Sequence, residues 1–208
     1  MDEITIQAPA KLNLTLDVLG RRADGYHDLK MVMQSITLAD RLTLRPGQVP
    51  GIQVSSSFHF LPTGEKNLAG KAAVCFYQAL GRPARDLDIA ITKHVPVCAG
   101  MAGGSTDGAA AIRALNKMLR LGMDNEKMVE IAKKVGADVP FCLRSRPAFV
   151  TGIGENLEHF RVHTPFYLLL VKPYKGVSTK VAFETLDFSC AEHPDCRKMR
   201  QALIANDY

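Results

Sequence analysis

The sequence predicts an α+β fold, and three observations carry that prediction. Some stretches alternate apolar and polar residues at strand spacing, others repeat apolar residues at helical spacing, and the two kinds follow one another in mixed order. Residues 4–8 and 12–19 alternate as strands, with Pro9 interrupting between them. Residues 20–28 form a polar loop containing Arg21, Arg22, Asp24, Gly25, Tyr26 and His27, and 31–44 carry further strand-like stretches. Residues 46–50 and the serine triplet 55–57 read as turn or loop.

The helical part is equally explicit. Residues 67–80 place Leu68, Ala72, Cys75, Ala79 and Leu80 at helical spacing and end before Gly81 and Pro83. Residues 87–91 predict a strand that leads into a glycine-rich loop. The clearest helix is 109–121, with Ile112, Leu115, Met118 and Leu119 as its apolar stripe and Gly122 as its stop. A second helix at 125–135 ends at Gly136. Residues 149–152 and 166–171 predict strands separated by a polar segment at 154–163; a short helix follows at 182–186, and the polar tail 190–207 holds one more. A boundary near 154–164 divides the chain into domains 1–158 and 159–208.

Composition narrows the class of protein. With 208 residues, 47% hydrophobic and 23% charged, the chain has the make-up of a globular soluble protein with a sizeable core. The net charge of +5 suits anionic partners, but the basic residues are scattered, which argues against a nucleic-acid tail. Five cysteines without a Cys-x-x-Cys pair argue against a disulfide framework or zinc site and for a reducing, cytoplasmic setting. The acidic N-terminus is no secretory signal, and the longest apolar run, 166–171, is far too short to span a bilayer.

The most informative segment is the run Pro96, Val97, Cys98, Ala99, Gly100, Met101, Ala102, Gly103, Gly104, Ser105, Thr106 and Asp107. Glycine permits left-handed backbone and close approach to a ligand, and the helix start beyond it offers unpaired N–H groups to a phosphate. No lysine precedes Ser105 or Thr106 as a P-loop requires, and the spacing is not that of a dinucleotide fingerprint. An ordinary capped helix entry is the competing reading.

Three further segments bear on chemistry. Lys11 and Asn13 share one strand face; Lys11 is either a solvated edge lysine or a point charge on a transferring group. Asp138, in Gly136-Ala137-Asp138-Val139-Pro140-Phe141, is either a helix-end aspartate bonding local backbone or a general base held ionised by Lys11. Tyr26 and His27 form either an ordinary turn or a nucleobase contact.

Taken together, these segments resemble the GHMP kinase superfamily. Ala8 to Leu14 resembles its N-terminal motif, Arg22-Ala23-Asp24-Gly25-Tyr26-His27 a substrate loop, and Pro96 to Thr106 the ATP-binding loop. Gly136 to Phe141 resembles the segment with the catalytic aspartate, and Gly152-Ile153-Gly154-Glu155 follows the pattern too. The likeness runs from about residue 4 to about 186, with Met101 where the family usually carries leucine. It implies a ribosomal-S5-domain-2-like N-terminal α/β domain and a ferredoxin-like C-terminal α+β domain, with the active site in the cleft between them. That second domain would be incomplete here, without the family's second glycine- and serine-rich loop, and its exposed apolar surface would favour self-association.

The implied reaction is ATP-dependent phosphorylation of the 2-hydroxyl of a cytidine diphosphate-linked methylerythritol, a step of non-mevalonate isoprenoid synthesis. ATP would sit on Pro96 to Thr106, with Mg²⁺ bridging its phosphates near Ser105 or Thr106. Asp138 would take the hydroxyl proton and Lys11 would stabilise the attacking oxygen. Tyr26 and His27 would hold the cytosine, Phe183 would close over its other face, and Asn13 and Thr179 would support. No nucleic-acid or membrane partner is implied. The alternative readings are a catalytically impaired short form and a non-catalytic nucleotide- or RNA-binding protein of the same fold.

Overall fold

The computed structural model describes residues 2–174, 176, 179–187 and 192–207, with the backbone alone at Thr179, Lys180 and Glu184. Its contacts gather into two compact units that do not follow chain order. The first comprises Met1–Ala10, Ile36–Val95 and Ala102–Ser145; the second comprises Lys11–Ser35, Pro96–Met101 and Arg146–Tyr208. The interleaving arises because β1 (Ile4–Arg21) and β2 (His27–Pro46), 18 and 20 residues long, each supply residues to both units.

In the first unit, β4 (Leu87–Thr92) lies between β2 and β3 (Ile52–Ser56). It runs antiparallel to β2, with Leu42 opposite Ile91 and Leu44 opposite Ile89, and parallel to β3, with Val54 opposite Ile89. Alternation places Leu42, Leu44, Val54, Leu87, Ile89 and Ile91 on buried registers. The parallel β3–β4 step needs a crossover, and α1 (Leu68–Ala79) supplies it, its first turn capped by the Asn67 side chain accepting from the Ala69 N–H at 3.0 Å. α2 (Gly103–Met118), α3 (Asn125–Val135) and α4 (Val139–Arg144) complete the layer. Small residues let α1 and α2 approach closely: Ala69, Ala72, Ala109, Ala110 and Ala111 are fully buried, and a Cβ at Gly108 would stand 3.2 Å from the Leu68 carbonyl oxygen. Phe76, Ile112, Leu115 and Phe141 fill the remaining interior.

The second unit is built on the N-terminal half of β2. β5 (Ala148–Gly152) pairs antiparallel with it, Met31 opposite Val150, and β6 (Asn156–His159) pairs antiparallel with β5. α5 (Thr179–Glu184) is short. α6 (Cys196–Ala205) starts at Asp195, whose carboxylate accepts from the Arg197 and Lys198 N–H groups, and it buries Cys196 and Leu203 against Val32. Leu14, Phe149, Phe160 and Met199 pack around that cluster.

The α+β class is as expected, and five local expectations are corrected. β1 passes through Pro9 without a break; it pairs with β2 alone, so a proline lacking its N–H is tolerated. Ser55 and Ser56 belong to β3, because β4 supplies a ladder partner. α2 begins at Gly103 rather than 109, so Ser105, Thr106 and Asp107 lie in its opening turns. The segment 154–163, read as polar, holds β6, and residues 139–144, to which the sequence reading assigned no element, form α4. Residues 166–171 form no strand: no described strand ladders with them, and Tyr167, Leu169 and Val171 are exposed. A strand exists only where a neighbouring backbone takes its hydrogen bonds. No helix among the described residues is long and apolar enough to cross a membrane.

Candidate active site

The glycine-rich run is an unusual piece of backbone. Cys98, Gly100 and Ala102 all have left-handed φ values, 54°, 69° and 55°. Non-glycine residues there carry strain, and such strain gathers at ligand sites. Alternating hands of this kind turn successive N–H groups inward, a geometry that accepts anions. Ala102 is the N-cap of α2 and has no side chain with which to cap it, so the leading N–H groups of this 16-residue helix receive no side-chain oxygen from that position. A phosphate oxygen suits that end. Pro96–Met101 is counted with the second unit and Ala102 onward with the first.

Each end of the run is tied to β1. The Lys11 N–H donates to the Met101 carbonyl at 3.1 Å within the second unit. The Thr106 hydroxyl donates to the Pro9 carbonyl at 2.6 Å within the first. Thr106 is fully buried and its hydroxyl is committed to that bond, whereas Ser105 is half-buried in the opening turn.

Lys11 is not a solvated edge lysine. It is 6% exposed, and its ammonium donates to Asn13 Oδ1 at 3.2 Å, so the two residues do share a strand face. Asp138 is half-buried at the N-cap of α4, and its side chain does not cap that helix. Lys11 lies in the second unit and Asp138 in the first.

The loop after β1 is held by its own charges. Arg22 bonds Asp24 at 3.1 Å and Asp28 at 3.0 Å, while Asp24 accepts from the Tyr26 N–H at 3.1 Å. That backbone bond, with Arg22 adding to it, holds the Asp24 carboxyl below its usual range, and the two carboxylates raise the Arg22 guanidinium. Gly25, at φ 85°, makes the turn. The outcome is that Tyr26 is displayed to solvent, 61% exposed. The His27 and Phe183 rings are stacked on each other, with centroids 5.2 Å apart and planes 19° apart. Two rings in contact leave no slot for a base between them, so a base meets an outer face or parts the pair. The Thr179 side chain, Val177 and Ser178 lie outside the described residues.

One cluster escaped the sequence reading. The Lys93 ammonium donates to Asp40 and, at 2.8 Å, to Asp107; all three side chains are buried. The other Asp40 oxygen accepts from the His94 and Val95 N–H groups at 2.6 and 2.8 Å. Asp107 Oδ1 is buried without a partner, and burial, opposed by Lys93, pushes this carboxyl up to about 7. The signal was in the register. Asp40 precedes Leu42 and Leu44 at spacing two, and Lys93 continues Leu87, Ile89 and Ile91, so both charges fall on inward-facing positions.

Among the described residues no three His, Cys, Asp or Glu side chains gather as a metal site. A divalent ion here would take most of its oxygens from phosphates, with a hydroxyl or a single carboxylate from the protein, which is how Mg²⁺ is commonly held.

Residues 67–146 match the family model for the GHMP kinases N terminal domain. The 4-diphosphocytidyl-2-C-methyl-D-erythritol kinase of Bacillus pumilus (strain SAFR-032) is 43% identical over 202 residues, 97% of this chain and 70% of that protein. Its counterpart in Bacillus cytotoxicus is 40% identical over 206 residues, 99% of this chain and 71% of that protein. A crystal structure of 4-(cytidine 5'-diphospho)-2C-methyl-D-erythritol kinase superposes with a TM-score of 0.76 at 30% identity, over 98% of this chain and 72% of the other. A homoserine kinase from Cytophaga hutchinsonii, at 20% identity and TM-score 0.66, shares the fold. This chain thus spans about 70% of the length of the relatives it matches. It belongs to the 4-diphosphocytidyl-2-C-methyl-D-erythritol kinase family of GHMP kinases.

Proposed function

We propose that this protein transfers the γ-phosphoryl group of ATP to the 2-hydroxyl of 4-diphosphocytidyl-2-C-methyl-D-erythritol, in the cytoplasm. The observation that carries the proposal is the left-handed run at Cys98, Gly100 and Ala102 opening onto the uncapped start of α2, in a chain 43% identical to a kinase of that name. Phosphoryl transfer asks little covalent chemistry of a protein; positioning and charge neutralisation supply most of the rate.

In this reading residues 96–106 hold the triphosphate through backbone N–H groups. Asp138, half-buried at the start of α4, accepts the proton of the attacking hydroxyl. The buried Lys11 ammonium steadies the oxygen as it gains charge, and Asn13 fixes the ammonium from the same strand face. Tyr26 and His27 take the cytosine, with Phe183 and Thr179 at the same subsite. Mg²⁺, when bound, neutralises charge on the phosphate oxygens. Ser105 is the hydroxyl that fits it, because the Thr106 hydroxyl is already donated to Pro9. Residues 1–158 would form the ATP-binding domain and 159–208 part of a second domain.

A coupled ADP-release assay with the cytidine diphosphate-linked substrate tests the proposal, with homoserine and mevalonate as controls. Turnover is expected with the first alone. Asp138→Asn is expected to lower kcat by about 10²–10⁴-fold, the range for loss of a general base. Undiminished turnover in that variant would remove Asp138 from the mechanism.

A further inference from the structure

The buried charges at Lys93, Asp40 and Asp107 take no part in the chemistry just proposed, yet they bracket its central loop. Lys93 lies just beyond β4, immediately before the loop, and Asp107 is the fifth residue of α2, immediately after it. The Lys93 ammonium donates both to Asp107 and to Asp40 on β2. A Cβ added to Gly103, the first residue of α2, would stand 3.3 Å from Lys93 Nζ and 3.2 Å from Val95 Cγ1. The ammonium therefore lies directly against the helix end whose N–H groups the phosphates are to meet.

The charge balance at that end is delicate. An α-helix N-terminus carries about half a positive charge, enough to favour an anion. Two carboxylates share the same interior, 0% and 2% exposed, and the Asp107 oxygen that Lys93 does not reach is buried without a partner. Their field opposes an incoming phosphate, and in so dry a setting it is little screened.

We propose that Lys93 is the positioning residue of the phosphate loop: by joining Asp40 to Asp107 it fixes the first turn of α2 on the sheet and cancels the carboxylate charge behind it. This rests on the reading of residues 96–106 as the ATP-phosphate site. A residue of merely structural importance would weaken all ligands together as the fold loosened. A charge-cancelling residue acts on the phosphate part alone, and the sign of its effect differs between Lys93 and Asp107.

The test is calorimetric titration of the full chain with inorganic tripolyphosphate, MgATP and adenosine. Lys93→Met is expected to weaken tripolyphosphate and MgATP by about tenfold or more, with adenosine unchanged. Asp107→Asn keeps the Lys93–Asp40 pair, so tripolyphosphate should bind equally well or more tightly. Wild-type affinity for tripolyphosphate in Lys93→Met would overturn the inference, as would an Asp107→Asn that weakens it as much as Lys93→Met does. Should Lys93→Met fail to fold, Asp107→Asn decides alone: a loss of tripolyphosphate affinity of about tenfold in that variant would overturn the inference. A wild-type chain that binds neither tripolyphosphate nor MgATP would overturn the loop reading and this inference with it, whereas wild-type binding with an unaffected Lys93→Met overturns the inference alone.

Discussion

Removing the Lys93 ammonium should be among the most damaging single changes to the stability of this chain. The variant Lys93→Met keeps the apolar stem of the side chain and deletes the charge. In the wild type that charge is 3% exposed and is shared by two carboxylates, 0% and 3% exposed. Asp40 would keep its two backbone donors at His94 and Val95, but Asp107 would lose the bond it has. Breaking a buried pair from one side costs about 3–5 kcal/mol. For a chain of this size each kcal/mol lowers the melting temperature by roughly 2–4 °C, so a fall of roughly 6–20 °C is expected.

Thermal unfolding followed by far-UV circular dichroism measures that fall, and urea unfolding by the same signal gives the free energy, since the chain has no tryptophan to report by fluorescence. The double variant Lys93→Met/Asp107→Asn should recover about 1–3 kcal/mol, because it removes the buried carboxyl left without its donor. A Lys93→Met protein within about 1 kcal/mol of the wild type would show that the three side chains are not electrostatically joined.

Other expectations follow from the same geometry. The Asp107 carboxyl stands at about 7 in the folded chain against 3.8 unfolded, so the folded state holds more protons between those values. Its contribution is complete below about 4 and is lost as pH rises through 7, at most about 4 kcal/mol; urea titrations from pH 5 to 8 should show that slope in the unliganded wild type and lose it in Asp107→Asn. Thr106→Val is isosteric but leaves the Pro9 carbonyl without its hydroxyl donor, and about 1–3 kcal/mol of stability should go with it, read as a lowered urea midpoint. Tyr26→Ala should raise KM for the cytidine substrate several-fold and leave KM for ATP unchanged, because the exposed ring makes no demand on the fold.

What could be read from the sequence was whatever depends on near neighbours. α1 and α3 announce themselves through apolar spacing and through Asn67 and Asp124, whose side chains cap them. The start of α2 was hidden because its first residues, Gly103, Gly104, Ser105 and Thr106, are weak helix formers, and its cap is an alanine in a left-handed conformation. The apolar run 166–171 misled for the opposite reason: its pattern is that of a strand, but a ladder requires a partner that no local pattern reveals. The N-terminal motif and the segment around Asp138 could be recognised as motifs, yet the burial of Lys11 and the commitment of the Thr106 hydroxyl depend on residues 90 or more positions away. Asp40, Lys93 and Asp107 show the middle case. Each sits on an inward register beside apolar residues, which is legible, but the partners lie 53 and 14 positions apart.

Stability alone is a weak reason to keep that trio, and this gives a way to separate its two effects. Buried ion pairs replaced as a group by well-packed apolar residues are often neutral or stabilising, because the desolvation of the charges is avoided. The combined variant Asp40→Asn/Lys93→Met/Asp107→Leu leaves no stranded charge, and an asparagine oxygen at position 40 still accepts from the His94 and Val95 N–H groups. Its urea midpoint should therefore lie close to the wild type, unlike that of Lys93→Met. If Lys93 acts through position as well as charge, tripolyphosphate should nonetheless bind more weakly to this stable protein, since nothing then joins β2 to the opening turn of α2. Stability restored together with full tripolyphosphate affinity would mean that the lysine serves only to offset its own carboxylates, and that the loop holds its shape without it.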